Sequence, residues 1–288
     1  MSNSKRVFIT GTSAGFGFDT AKALAAKGHT VYATMRAVGG KNADKAAALA
    51  RWAEDGGHPL HVLELDVTDE ASIATAVATA VERGGIDVLI NNAGIGTWGI
   101  DEGYSIDQAR QVFDVNVLGM MRMNRAVIPH LRAAGKGLVI YLSSGLGRIV
   151  FPFIAIYTAS KFAIEGYAES MSYELAPLGI ESVIVQPGTY GTDFFANWVL
   201  PKTDVTGAYG ATAQLYEAIG NGFKERLESG GVGDPAEVVE ILVEEVERPA
   251  GGRPLRRAVG QDTKEQVSAI NDACDQVQDQ LLGPLGLR

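Results

Sequence analysis

The chain has 288 residues, 46% hydrophobic and 20% charged, with a formal net charge of −9. This supports a large buried core and excludes a disordered chain, while the acidic balance disfavours nucleic acid and anionic membranes as partners. Cys274 is the single cysteine, and His29, His58, His61 and His130 share no metal-ligand spacing, so an internal disulfide and a metal cluster are not expected.

The opening Met-Ser-Asn-Ser-Lys-Arg leads straight into a strand-like run, without the apolar stretch of a signal peptide, and no later run is long enough to span a membrane. A cytoplasmic protein is therefore expected. Residues 6–10 read as a buried strand, 19–27 as a helix stopped by Gly28, and 30–35 as the next strand. The alternation continues with a helix over 41–54, a strand over 61–65, a helix over 70–82 and a strand over 87–91. One long helix is predicted over 106–131, a strand over 137–142, a helix over 157–175 and a strand over 180–185. Apolar strands alternating strictly with helices imply an α/β fold, a doubly wound, mostly parallel sheet of the Rossmann type covered on both faces. Residues 188–232 carry glycine, threonine and aromatics with no strand signal. Asp234 and Pro235 then read as the cap and first turn of a helix over 236–248, and Gly251-Gly252 opens a tail with one more helix over 264–282. With no repeat or linker in view, residues 1–288 are expected to form a single domain. Within it, 189–230 would be a helical insertion covering the substrate, and 252–288 a C-terminal tail.

Three groups of residues point to chemistry. Thr10-Gly11-Thr12-Ser13-Ala14-Gly15-Phe16-Gly17 lies between the first strand and the first helix. Glycines there allow a tight turn and bring backbone N–H groups and the helix N-terminus to a pyrophosphate. Taken alone, such a turn is equally an ordinary strand-to-helix connection. Tyr157 and Lys161 stand four apart on a predicted helix and so share a face, though such pairs are often mere surface contacts. Ser144 ends the fifth strand, and Asn116 lies in Asp114-Val115-Asn116-Val117 of the long helix.

In this order the segments resemble the short-chain dehydrogenase/reductase family. The match comprises T-G-x-x-x-G-x-G, Asp66-Val67 after the third strand, Asn91-Asn92-Ala93-Gly94 after the fourth, the set Asn116, Ser144, Tyr157 and Lys161, and Pro187-Gly188 with Thr192 after the sixth. It spans roughly residues 5–260, leaving the end of the tail outside. The resemblance implies an NAD(P)-dependent oxidoreductase. The cofactor contacts it implies are Gly11, Thr12, Ser13, Gly15, Phe16, Gly17, Asp66 and Val67, the last two beside the adenine. Asn92, Ala93 and Gly94 would support the sheet and the ribose. Tyr157, Lys161, Pro187, Gly188 and Thr192 would surround the nicotinamide half. It also implies that Lys161 binds the ribose hydroxyls and that Asn116 holds a proton-relaying water.

Moving a hydride to or from a carbonyl carbon requires a proton on its oxygen. Tyr157 is expected to exchange that proton. Its usual pKa near 10 would be lowered by the Lys161 ammonium and the oxidised nicotinamide. Ser144 would hold the substrate oxygen. Ser143 adjoins it, and the family spacing selects Ser144. Asp114, Arg148 and Glu165 read as solvated or structural charges, and Arg256-Arg257 as a solvent-facing pair rather than an anion clamp.

Phe151, Phe153, Phe194, Phe195, Trp198, Tyr209 and Tyr216 are expected around the substrate loops, as packing or as an apolar pocket. The second strand and the long tail resemble the hydroxysteroid and retinol dehydrogenase branch, which implies a bulky apolar alcohol or ketone. At the tip of that strand Met35 stands where NAD-selective members place Asp. Arg36 follows with a permanent charge, and Thr12 and Ser13 offer hydroxyls on the same side, so NADP(H) is expected to be preferred over NAD(H). Ala14, where many NADP-binding relatives carry a base, tempers that preference. A homodimer or homotetramer through 106–131 and 157–175 is the family expectation. Two other readings stand beside this one. A non-catalytic nucleotide-sensing regulator would lack Tyr157 or Lys161. A sugar-nucleotide epimerase or dehydratase would carry a longer substrate domain and another glycine spacing.

Overall fold

The computed structural model describes residues 4–286. Seven strands form one sheet: β1 (Arg6–Thr10), β2 (Thr30–Met35), β3 (Leu60–Glu64), β4 (Val88–Asn91), β5 (Gly137–Leu142), β6 (Ile180–Pro187) and β7 (Arg256–Val259). Their order is β3-β2-β1-β4-β5-β6-β7 and every pairing is parallel. The strands are short, apolar and non-alternating because both faces are covered. Helices α1 (Gly15–Ala26), α2 (Ala43–Gly56) and α8 (Pro235–Glu247) close one face around Val7, Ile9, Leu24, Leu49, Ile140 and Leu242. Helices α3 (Glu70–Glu82), α5 (Gly119–Ala134) and α6 (Ala155–Leu175) close the other around Phe8, Leu89, Met123, Tyr141 and Ile164.

The chain builds outward from β1 to β3, then returns to lay β4 beside β1. At that reversal the loops leaving the two strands part in opposite directions, which opens a crevice at their carboxyl ends.

Several local expectations hold. Asp234 caps α8, accepting from Ala236 N at 2.9 Å, with Pro235 in the first turn. The insertion expected to be helical within 189–230 does hold a helix, α7 (Ala211–Glu228). Three differ. The first helix begins at Gly15, so the end of the glycine turn is itself helical. The long helix predicted over 106–131 is α4 (Ile106–Phe113), a π turn (Asp114–Leu118) and α5. The tail contributes β7, paired in register with Ile184–Pro187, before α9 (Lys264–Leu282). Arg256 and Arg257 lie on β7 and are not a solvent-facing pair: the Arg256 side chain is only 4% exposed. A four-residue strand opening on two arginines has no apolar pattern to announce it, and pairing with β6 decides it.

Candidate active site

The crevice holds a cleft of about 740 Å³ that runs from the β2 tip to α7. At its centre is the glycine turn. Gly11 has φ +73°, and a Cβ there would come 2.9 Å from the Ala93 backbone. Only glycine allows the turn to lie this close to the β4 exit. Asn92 fastens the two together, its Nδ2 donating to Thr10 O at 2.8 Å and Gly11 O at 2.9 Å. Gly17 packs under that amide, where a Cβ would lie 2.3 Å from Nδ2. The N-cap of α1 is Ala14, which supplies no capping side chain, and the first turn holds no acid. The first backbone N–H groups are thus left to an anion, which suits a pyrophosphate. Gly11, Ser13, Gly15 and Phe16 line the cleft, whereas Thr12 is fully buried with its hydroxyl donating to Thr34 O at 3.1 Å.

On the β2 side, Arg36, Asp66 and Val67 line the cleft, as does the buried Met35. Arg36 Nη1 lies 3.8 Å from Asp66 Oδ2, while Asp66 Oδ1 accepts from Thr68 N and Thr68 Oγ1. The loop after Arg36 is held by Glu64, which accepts from Ala37 N and Val38 N, and by Asn42 Nδ2, which donates to Arg36 O at 2.6 Å. Lys41, Asn42 and Lys45 line the same end and were not singled out from the sequence. Their signal was a second and third base five and nine residues after Arg36, at the start of a helix.

On the other side of the turn, Ser144, Tyr157 and Lys161 meet at the cleft floor, together with Ala93, Gly94, Pro187, Gly188 and Thr192. Ser143 lines the cleft as well. Ser144 Oγ accepts from Leu146 N at 3.1 Å and approaches Pro187 O at 3.4 Å. Lys161 Nζ donates to Leu142 O at 2.8 Å and lies 5.5 Å from the centroid of the Tyr157 ring. Burial pushes the Tyr157 hydroxyl up to about 12, and a hydrogen bond with Ser144 pulls the other way. Burial also pushes Lys161 down to about 8, opposed by the charge of Glu165. The expected lowering of Tyr157 by Lys161 is therefore not seen: the shift is upward, with burial as its main cause. The ammonium lies over the ring, and desolvation of the phenolate dominates. Asn116 sits in the π turn, fully buried behind Gly94. Its Oδ1 accepts from Ile95 N at 2.9 Å, and its Nδ2 donates to Ile95 O and to Ser160 Oγ. The side-chain amide is thus engaged by protein groups, and it braces the β4 exit against α6.

Beyond Tyr157 the wall is aromatic. Trp98, Phe151, Phe194, Phe195, Trp198 and Phe223 line it. Phe153 and Tyr216 stand behind, packed on Trp98. Tyr209 turns away, donating to Glu102 Oε2 at 2.7 Å. Trp98 and Phe223 were missed because they come from the β4 loop and from α7, whose positions the sequence does not show.

A dinucleotide fits this cleft: anion-seeking N–H groups at the centre, cations at one end, and a buried Ser–Tyr–Lys group at the other. Among the described residues no group of acidic, histidine or cysteine side chains could hold a metal. Nor is any helix among them long and apolar enough to cross a membrane.

Comparison with known proteins agrees. The short chain dehydrogenase family model matches residues 5–202. The uncharacterized oxidoreductase YusZ of Bacillus subtilis is 34% identical over 83% of this chain and 84% of its own. Mouse 17-beta-hydroxysteroid dehydrogenase type 1 is 34% identical over 84% of this chain and 70% of its own. Human retinol dehydrogenase 8 is 38% identical over 66% of this chain and 60% of its own. Among solved structures, a short-chain dehydrogenase from Streptomyces avermitilis superposes over 98% of both chains at TM-score 0.77 and 29% identity. A gluconate 5-dehydrogenase from Burkholderia cenocepacia, in complex with NADP and tartrate, does so over 67% of this chain and 74% of its own at TM-score 0.62 and 31% identity. The chain belongs to the short-chain dehydrogenase/reductase family and is an NAD(P)-dependent oxidoreductase.

Proposed function

We propose that the enzyme interconverts a bulky apolar alcohol and its carbonyl compound, with NADP(H) preferred over NAD(H) and Tyr157 as the proton donor and acceptor. The observation that carries this reading is the placement of Ser144 and Tyr157 on the cleft floor facing an aromatic wall, with the basic end of the same cleft on the far side of the glycine turn.

Ser144 Oγ orients the substrate oxygen toward the Tyr157 hydroxyl. A phenol held near 12 keeps its proton at neutral pH and is ready to give it to a carbonyl oxygen as negative charge develops there. Lys161 Nζ, with one protein acceptor at Leu142 O, has N–H groups left for the ribose hydroxyls, and its charge favours the phenolate that remains. The nicotinamide, when bound, supplies or accepts the hydride. Trp98, Phe194, Phe195, Trp198 and Phe223 bury the apolar body of the substrate and exclude water from the reacting atoms. The names of the hydroxysteroid and retinol dehydrogenases among the relatives support a bulky apolar substrate, and the NADP complex of the gluconate dehydrogenase supports the cofactor.

Residues 189–230, with α7 at their centre, are proposed to cover the substrate within one domain. Self-association is proposed through the faces of α4 and α6 that expose Ile106 and Phe162. The reading is tested by following NAD(P)H consumption against ketones, aldehydes and nucleotide sugars. Turnover of a bulky apolar ketone is expected. Activity confined to nucleotide sugars, or none at all, refutes it.

A further inference from the structure

The α6 face that carries Tyr157 and Lys161 continues, one and two turns on, as Glu165 and Glu169, and all four side chains are buried. Carboxylates in a core need counter-charges. None comes from α6. Arg256 of β7 places Nε 3.0 Å from Glu165 Oε2 and Nη2 2.5 Å from Glu169 Oε2. Arg148 approaches Glu165 Oε2 at 3.5 Å.

The second oxygen of Glu165 is directed elsewhere. Oε1 accepts from Gln186 Nε2 at 2.9 Å, and Gln186 immediately precedes Pro187 and Gly188. Gln186 is tied in turn to α9, where Asn271 Nδ2 donates to Gln186 Oε1 at 2.8 Å. The stem of Glu165 meets the turn that follows Ser144, for a Cβ on Gly147 would lie 2.9 Å from Glu165 Cγ. One carboxylate therefore contacts the strand end beside Pro187 and the turn after Ser144, while its own helix carries Tyr157 and Lys161. Neither Glu165, Gln186 nor Arg256 lines the cleft.

An ion pair whose only role is stability has no need to touch all three segments, and apolar packing often serves a core as well. A planar guanidinium engaging both carboxylates adds fixed orientation, which a point charge does not. Orientation matters here, because a displacement of about 1 Å at a reacting group can cost about a hundredfold in rate.

We propose that Glu165 is a positioning residue that holds the Ser144 turn, the Tyr157–Lys161 helix and the Pro187–Gly188 exit in register, and that Arg256 from the C-terminal strand fixes its carboxylate. The proposal rests on the reading of Tyr157 as the proton donor. It also gives the segment after 252 a role in the active site without contact with substrate: Arg256 and Asn271 lie beyond the 5–202 stretch that the family model matches.

The test uses the full-length enzyme with Glu165→Gln and Arg256→Lys. In Glu165→Gln, kcat is expected to fall about tenfold or more, with cofactor Kd and substrate KM within about threefold of wild type. Arg256→Lys, which keeps the charge and loses the fork, should fall between the two. Amide hydrogen exchange should quicken at residues 143–148 and 186–189 in both variants, with no change in the β1–α1–β2 half. A lower melting temperature with unchanged kcat, or faster exchange confined to α6, overturns the proposal. If Glu165→Gln does not fold, Arg256→Lys alone decides by both measurements. If the wild type turns over no alcohol or carbonyl compound, the reading of the activity fails, and hydrogen exchange still decides whether Glu165 couples the three segments.

Discussion

Lys161 lies over the face of Tyr157, with Nζ 5.5 Å from the ring centroid and bonded to Leu142 O at 2.8 Å. The ammonium thus lies beside the ring. The hydroxyl itself is hydrogen-bonded with Ser144. This separates the tasks of the two residues and makes them separately testable.

Tyr157→Phe removes the hydroxyl and leaves the ring under Lys161. We expect kcat to fall at least about a hundredfold, the usual worth of acid–base catalysis, with cofactor affinity nearly unchanged. Steady-state rates and a cofactor fluorescence titration check this. Retention of more than a few per cent of kcat would remove Tyr157 from the mechanism.

Arg36→Ala is expected to reduce kcat/KM with NADPH by roughly ten- to a hundredfold and to leave NADH nearly unaffected, as for loss of one charge-assisted contact. Arg36 is half-exposed and its loop is already fixed by Glu64 and Asn42, so little ordering opposes the contact. Lys41→Ala and Lys45→Ala should shift selectivity in the same direction by less. A wild type that prefers NADH, or equal losses with both cofactors, sinks this assignment.

The pH dependence of stability carries signs that can be worked out. Lys161 titrates near 8 in the folded protein against a usual 10.5, so between these values the unfolded chain binds more protons. Its contribution to stability therefore rises with pH from about 8 to 10.5. Tyr157 titrates near 12 against 10, so its contribution is present below pH 10 and is lost as pH rises toward 12. Urea midpoints of wild type and Lys161→Met should show the wild type gaining on the variant from pH 8 to 10.5. A constant difference across that window would mean that Lys161 keeps its ordinary affinity for protons.

Helix α7 has no buried residue along its eighteen. The ion pairs at the edges of its segment, Lys45–Asp193 at 3.7 Å and Arg226–Asp262 at 4.0 Å, each involve a half-exposed cation and are worth little in water. We expect this cover to open easily and to close over cofactor and substrate. Limited proteolysis should cut within 189–230 in the free enzyme and be suppressed when both are added. The same cleavage in either state would contradict a moving cover.

The features legible in the sequence were local and periodic. Apolar runs marked β1 to β6 because strands buried on both faces need them. Tyr157 and Lys161 marked one helix face because four residues make about one turn. The glycines at 11, 15 and 17 marked a tight turn fit for a phosphate, and the structure added that those at 11 and 17 also pack against the β4 exit, where no side chain fits. What stayed hidden depended on partners far along the chain. Arg256 resembled a solvent-facing charge until β7 paired with β6 and set it against Glu165, ninety-one residues away. The π turn that seats Asn116 leaves the helical apolar pattern intact, so periodicity reads straight through it. Trp98 and Phe223 joined the aromatic wall of the cleft only when the β4 loop and α7 came together over it. Local periodicity reports which face of an element is buried. Which charges, rings and amides meet there is decided by packing between elements, and that is where the tertiary structure determined the site.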